Sequence, residues 1–115
     1  MQELLAQLSR IRGIGGCVLV SVDGLPMDST VRQGVDESRL AAALSTFTGP
    51  AAKLAELVGA GAMKQMSING PAGGLLTLQA GPAHLVLLID AGANLTLLQL
   101  EAGPVVERIA QRLAL

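Results

Sequence analysis

Among its 115 residues the chain has no tryptophan and no tyrosine, one phenylalanine (Phe47), one histidine (His84) and one cysteine (Cys17). Each shortage excludes something. Without aromatic platforms there is little for nucleobases to stack on. Eight basic against nine acidic side chains, a formal net charge of -1, offer no positive field to a phosphate backbone. Nucleic acid is therefore set aside as a partner. A lone cysteine forms no intrachain disulfide, and in the apolar run Cys17-Val18-Leu19-Val20 it reads as a buried free thiol packing as a small hydrophobe. A lone histidine cannot build a zinc site or catalytic relay that needs two imidazoles in one subunit. His84 follows Gly81-Pro82 at the mouth of a strand and reads as a strand-end residue with no role. No uninterrupted apolar run approaches the ~18 residues of a membrane span. The start, Met1-Gln2-Glu3-Leu4-Leu5, lacks the basic and apolar regions of a secretory signal. A cytoplasmic location without membrane contact is the expectation.

Charge is scarce as well: 15% of the residues are charged, against roughly 25% in an ordinary soluble domain. What is present is aliphatic, with hydrophobic residues making up 50% of the chain. Residues 1–115 read as one domain, long enough to bury a core without disulfides or a metal. A small domain leaves much of its chain at the surface, so with few charges some of that surface is apolar. Apolar surface of this kind is usually covered by a partner, and a second copy is the simplest one.

Leu4, Leu5, Leu8 and Ile11 recur at helical spacing, which predicts a short amphipathic helix over 2–12 with Gly13 as its stop. A buried strand follows over 17–22, then Asp23-Gly24, a strong hairpin signal, and a returning strand over 25–31. Pro26 places that second strand at an edge or at its own end. Asp36 is the expected N-cap of a second helix over 37–58. Leu40, Leu44, Phe47, Ala51, Leu54 and Leu57 step almost as a heptad seam along it. Gly49-Pro50 interrupts this seam, and the pattern is read as one kinked helical unit ending near Gly59. Strands are expected over 64–69, 75–79 and 84–89, linked by Gly70–Gly74 and Gly81-Pro82 as an antiparallel meander. Residues 95–100 are compatible with a strand or with a helix capped at Asn94; 104–113 is a terminal helix with Pro104 well placed at a fresh start. The order is helix, two strands, helix, three strands, helix, an α+β arrangement around one antiparallel sheet.

Reactive constellations do not emerge. Gly13-Ile14-Gly15-Gly16 has a glycine-loop composition, but a phosphate loop runs from strand to helix and here the order is helix to strand. Asp23, Asp28 and Asp36 are each explained by a turn, a strand end and an N-cap. No catalytic residue, metal ligand or cofactor site is assigned, and the chain is read as a non-enzyme. The helix over 37–58 draws more interest. It is dense in alanine and carries only Glu37, Arg39, Lys53 and Glu56 as charges. That composition suits either a core helix on the sheet, or one with a face on the sheet and another on the same helix of a second subunit.

The stretch Gly16-Cys-Val-Leu-Val-Ser-Val-Asp-Gly-Leu-Pro-Met-Asp-Ser29 resembles the first hairpin of the Roadblock/dynein light-chain domain. Leu85 to Asp90, with Ala93-Asn94-Leu95 and Leu98, is similar to that family's last strand and the entry to its final helix. The resemblance implies a Roadblock/profilin-like fold, α-β-β-α-β-β-β-α, whose central five-stranded sheet carries one helix on one face and two on the other. It also implies helix after Asn94. Further implied is a homodimer in which two sheets join at an edge, with Lys64, Met66 and Ile68 as edge candidates, and the second helices lie side by side. Bacterial members of the MglB type bind a Ras-like small GTPase and promote GTP hydrolysis without inserting an arginine. On that basis Arg39, Ala43, Phe47, Lys53 and Glu56 are the partner-interface candidates. Gly49-Pro50 and Gly103-Pro104 depart from the family, whose helices are usually continuous there. The chain is also expected to lack the terminal extension of some GTPase-activating members, which suits a plain dimerisation adaptor. A small-molecule sensor is the third expectation, disfavoured by the lack of polar groups converging on an apolar pocket.

Overall fold

A computed structural model describes residues 1–31 and 34–114. Its elements are α1 (Gln2–Ser9), β1 (Ile14–Val20), β2 (Pro26–Thr30), α2 (Glu37–Leu57), β3 (Gln65–Gly70), β4 (Gly73–Ala80), β5 (Ala83–Asp90) and α3 (Leu95–Leu113). All pairings are antiparallel, in the spatial order β2-β1-β5-β4-β3. Short turns make the neighbours in each hairpin, whereas the central β1–β5 pair joins the first hairpin to the last strand.

The two faces of the sheet are covered differently. On one face α1 and α3 bury Leu4, Leu5, Leu8, Leu98, Ala102, Val105 and Ile109 against Cys17, Leu19, Leu76, Leu85 and Leu87. On the other, α2 contributes only Ala41 and Leu44 as fully buried residues, over Val18, Val20 and Val86. The architecture is the expected α+β one, with two helices against one.

Boundaries shift where local hydrogen bonding intervenes. α1 ends at Ser9, three residues early, because the Arg10 amide is shared between the Ala6 and Gln7 carbonyls and Ile11 N–H bonds Leu8 at 3.0 Å. Such i→i−3 bonds tighten the chain out of the α-helix. β1 starts at Ile14, since the backbone of the glycine segment already pairs with β5. At Gly16 a Cβ would stand 2.6 Å from the Thr30 carbonyl oxygen, so glycine there serves close strand packing and not phosphate binding.

Neither proline splits its helix. α2 runs unbroken through Pro50, and α3 runs from Leu95 through Pro104, capped by the Asn94 side chain accepting from Leu97 N–H at 3.1 Å. A proline inside a helix costs about 3 kcal/mol, chiefly through a lost hydrogen bond and a clash. The carbonyls denied a donor belong to Thr46 and Leu100, both exposed, where water can take the bond. The fresh start at Pro104 is thereby corrected to a continuous helix.

Candidate partner-binding surface

α2 begins where the Asp36 carboxylate accepts from Arg39 N–H at 3.0 Å, satisfying one of the free amides of the first turn. From there its apolar residues diverge onto two stripes. Leu40, Ala41, Leu44, Thr48, Ala51, Ala52 and Ala55 are buried or half-buried towards the sheet. Ala43, Phe47, Pro50, Leu54 and Leu57 step by four, three, four and three along a second stripe, and all are exposed. Phe47 is 58%, Leu54 64% and Leu57 70% exposed, followed by Val58 at 78%. The near-heptad seam of the sequence therefore straddles two directions: Leu40, Leu44 and Ala51 turn inward, Phe47, Leu54 and Leu57 outward.

The partner-interface candidates separate accordingly. Arg39 stands one turn before Ala43 and heads the outward stripe, with Ala43 and Phe47 on it. Lys53 lies on the stripe's rim. Glu56 is turned further round, where it lines a cleft, and meets Lys53 at 3.9 Å in an exposed ion pair. Such a pair contributes little to stability.

The sheet has two edges, and only one is guarded. Edge strands present unpaired backbone groups that invite another strand, and proteins blunt them with proline, bulges or cover. β2 has Pro26 and a register irregularity between Leu19 and Val20, and the Gln2 amide of α1 donates to the Asp28 carboxylate and the Ser29 carbonyl. β3 pairs with β4 in unbroken register from Gln65 to Gly70, with neither proline nor bulge. Its faces differ: Met66 packs with the α2-side cluster and Ile68 is 49% exposed on the same side, whereas Gln65, on the other, accepts from the Gln99 amide of α3 at 3.3 Å. Lys64 precedes the strand, its carbonyl accepting from Gln79 N–H at 3.4 Å.

A cleft of about 640 Å³ separates the second half of α2 from the sheet, lined by Thr48, Gly49, Ala52 and Glu56 on one side and Gln79 and His84 on the other. His84 is half-buried on β5 opposite Gln79. Near it on this sheet face, Thr77 is 2% exposed and its hydroxyl has no hydrogen-bond partner. Cys17 lies in the α1 side of the core. Burial pushes its thiol pKa up, the Ser9 hydroxyl and the Thr30 backbone pull it down, and Asp28 raises it further. A nucleophilic role wants the opposite shift. Among the described residues, no three His, Cys, Asp or Glu side chains gather to hold a metal, and no helix is long and apolar enough to cross a membrane.

Residues 1–89 match the Roadblock/LC7 domain. The chain belongs to the Roadblock/LC7 family. An uncharacterized protein of Methanocaldococcus jannaschii is 33% identical to it over 109 residues, covering 95% of this chain and 96% of its own length. Among solved structures, MglB of Myxococcus xanthus superposes with a TM-score of 0.88 at 19% identity, covering 99% of this chain and 97% of that one. A Roadblock/LC7 domain from Streptomyces avermitilis does so at 0.87 and 21%, covering 100% and 98%. These similarities establish a Roadblock fold from end to end. The second stripe of this Roadblock helix is not separated by the near-heptad seam; its signal is the spacing of Ala43 and Pro50 with Phe47, Leu54 and Leu57. Val22, expected in a buried strand over 17–22, lies past the end of β1 and is exposed, as are Leu25 and Met27 around the first hairpin.

Proposed function

We propose that this Roadblock protein is a homodimeric regulatory module that docks a Ras-like small GTPase of the MglA type and performs no chemistry of its own. The observation that carries the reading is the run of exposed apolar residues along the outward stripe of α2, on the same side of the sheet as Met66 and Ile68 of the unguarded β3 edge. A second copy meets both needs at once. Its β3 would pair with this β3 through backbone hydrogen bonds around Lys64, Met66 and Ile68, and its α2 would cover Phe47, Leu54 and Leu57. Self-pairing of one patch is what a two-fold interface requires. Arg39 and Ala43 at the head of the stripe, Lys53 on its rim and Glu56 at the cleft are then the residues offered to a GTPase.

The likeness to MglB supports the fold on which such regulation is built, and the resemblance of the first hairpin points the same way. On this reading the protein acts on a GTPase by rearranging it, with no arginine inserted. Two measurements test the proposal separately. Sedimentation at micromolar concentration should find a dimer, and a stable monomer there would overturn the self-pairing. Binding to the Ras-like GTPases of the same cell, each loaded with GTP or GDP, should show preference for one nucleotide state. A dimer that binds none of them would leave a structural adaptor of signalling or motility complexes in place of the regulator.

A further inference from the structure

α2 and α3 carry the same Gly-Pro pair at mid-helix, but the residues around it are anchored differently. In α3, Leu98 and Ala102 are buried before Gly103-Pro104, and Val105 and Ile109 after it. In α2, Ala41 and Leu44 are buried before Gly49-Pro50, and nothing after it is: Ala51, Ala52 and Ala55 reach the sheet side only as half-buried methyl groups. The loss of anchoring coincides with the break in the hydrogen-bond ladder. Pro50 has no N–H to give the Thr46 carbonyl. Gly49 adds backbone freedom that packing does not demand, since a Cβ there would meet nothing within 4 Å.

Two further features frame the same segment. Beneath it lies the 640 Å³ cleft, whose helix wall is Thr48, Gly49, Ala52 and Glu56. Beyond it, Gly59 and Gly61 hold φ values of +74° and +85°, with nothing within 4 Å of either position's Cβ direction. The segment 51–58 is therefore a short rod between a weakened joint and a glycine-rich connector, standing over a cleft that the connector's Gly61, Ala62 and Met63 also wall.

We infer that residues 51–58 form a hinged arm that swings about Gly49-Pro50, towards or away from the cleft floor at Gln79 and His84, while residues 37–48 stay fixed on the sheet. The motion re-aims the exposed Leu54 and Leu57 relative to Phe47.

Backbone relaxation-dispersion NMR on the intact protein tests it. The amides of 51–58, with those of Gln79 and His84, should share one exchange process that is absent from 38–48 and from both sides of Gly103-Pro104. The double variant Gly49→Ala/Pro50→Ala restores the ladder and should suppress that exchange at least several-fold; helix content by circular dichroism checks its folding. Flat dispersion throughout α2, or exchange unchanged in the double variant, overturns the hinge. Rates graded towards Leu57, the mark of a fraying end, overturn it too. Pro104→Ala serves as the control and should leave the α2 exchange as it was.

Discussion

α3 and α2 are close in length, each is capped by an acidic or amide side chain, and each contains a Gly-Pro pair, yet they stand in opposite relations to the sheet. α3 buries residues along its whole length and shares its face with α1. α2 stands alone on its face and buries two residues, both in its first half. The contrast lies not in continuity, since both helices run unbroken through their proline, but in what holds the turns that follow it. It shows where the core is complete. The α1/α3 face is a finished core, whereas the α2 face keeps Phe47, Leu54, Leu57 and Ile68 exposed and ends at the unblunted β3 edge.

Truncation should expose this contrast most strongly. Ile109→Ala, on the finished face, is expected to lower stability by about 2–5 kcal/mol in urea titration. Leu57→Ala, on the outward stripe, should change the stability of the separated subunit by less than about 0.5 kcal/mol. Equal losses at the two sites would mean that the stripe is core in the subunit itself. Next in size is Phe47→Asp, which buries a charge in the proposed dimer. Self-association should weaken by at least about 100-fold, or about 2.7 kcal/mol, with the helix signal unchanged; sedimentation reads the outcome.

Thr77→Val removes a buried hydroxyl without a partner and should raise stability by about 1 kcal/mol. A loss of that size would reveal an acceptor for the hydroxyl beneath α2. The caps should not distinguish the helices: Asp36→Ala and Asn94→Ala are each expected to cost about 1 kcal/mol, read as shifts in the urea midpoint. The smallest effect concerns Cys17. Because burial holds the folded thiol's pKa above its unfolded value, its contribution is fully present below the ordinary thiol range. It is lost as pH rises through that range towards the folded pKa. Stability should therefore sag in mildly alkaline solution, and Cys17→Ala should flatten that slope.

Much of this was legible from the residues in order. The Asp23-Gly24 turn, the Asp36 cap and the alternation of Met66 and Ile68 against Gln65 and Ser67 are short-range signals, and the elements they mark are present. The ends of α1 and β1 were less legible, because bifurcated bonds at Arg10 and pairing of Ile14 with Ile89 decide them. The interface candidates were only partly resolved. Arg39, Ala43 and Phe47 align on one stripe, but Glu56 turns towards the cleft, and a linear reading with a near-heptad step does not separate directions that differ by a fraction of a turn.

By itself, then, the sequence determined the succession of helices and hairpins, the caps that start α2 and α3, and the excess of aliphatic over charged residues. All of these follow from composition or from contacts a few residues apart. The tertiary structure alone decided which strand was left as the open edge, which half of α2 lacked anchors, and why one Gly-Pro pair is pinned while the other is not. Those outcomes depend on residues far apart in the chain meeting across the β1–β5 pair and the sheet's two faces, which no local spacing encodes.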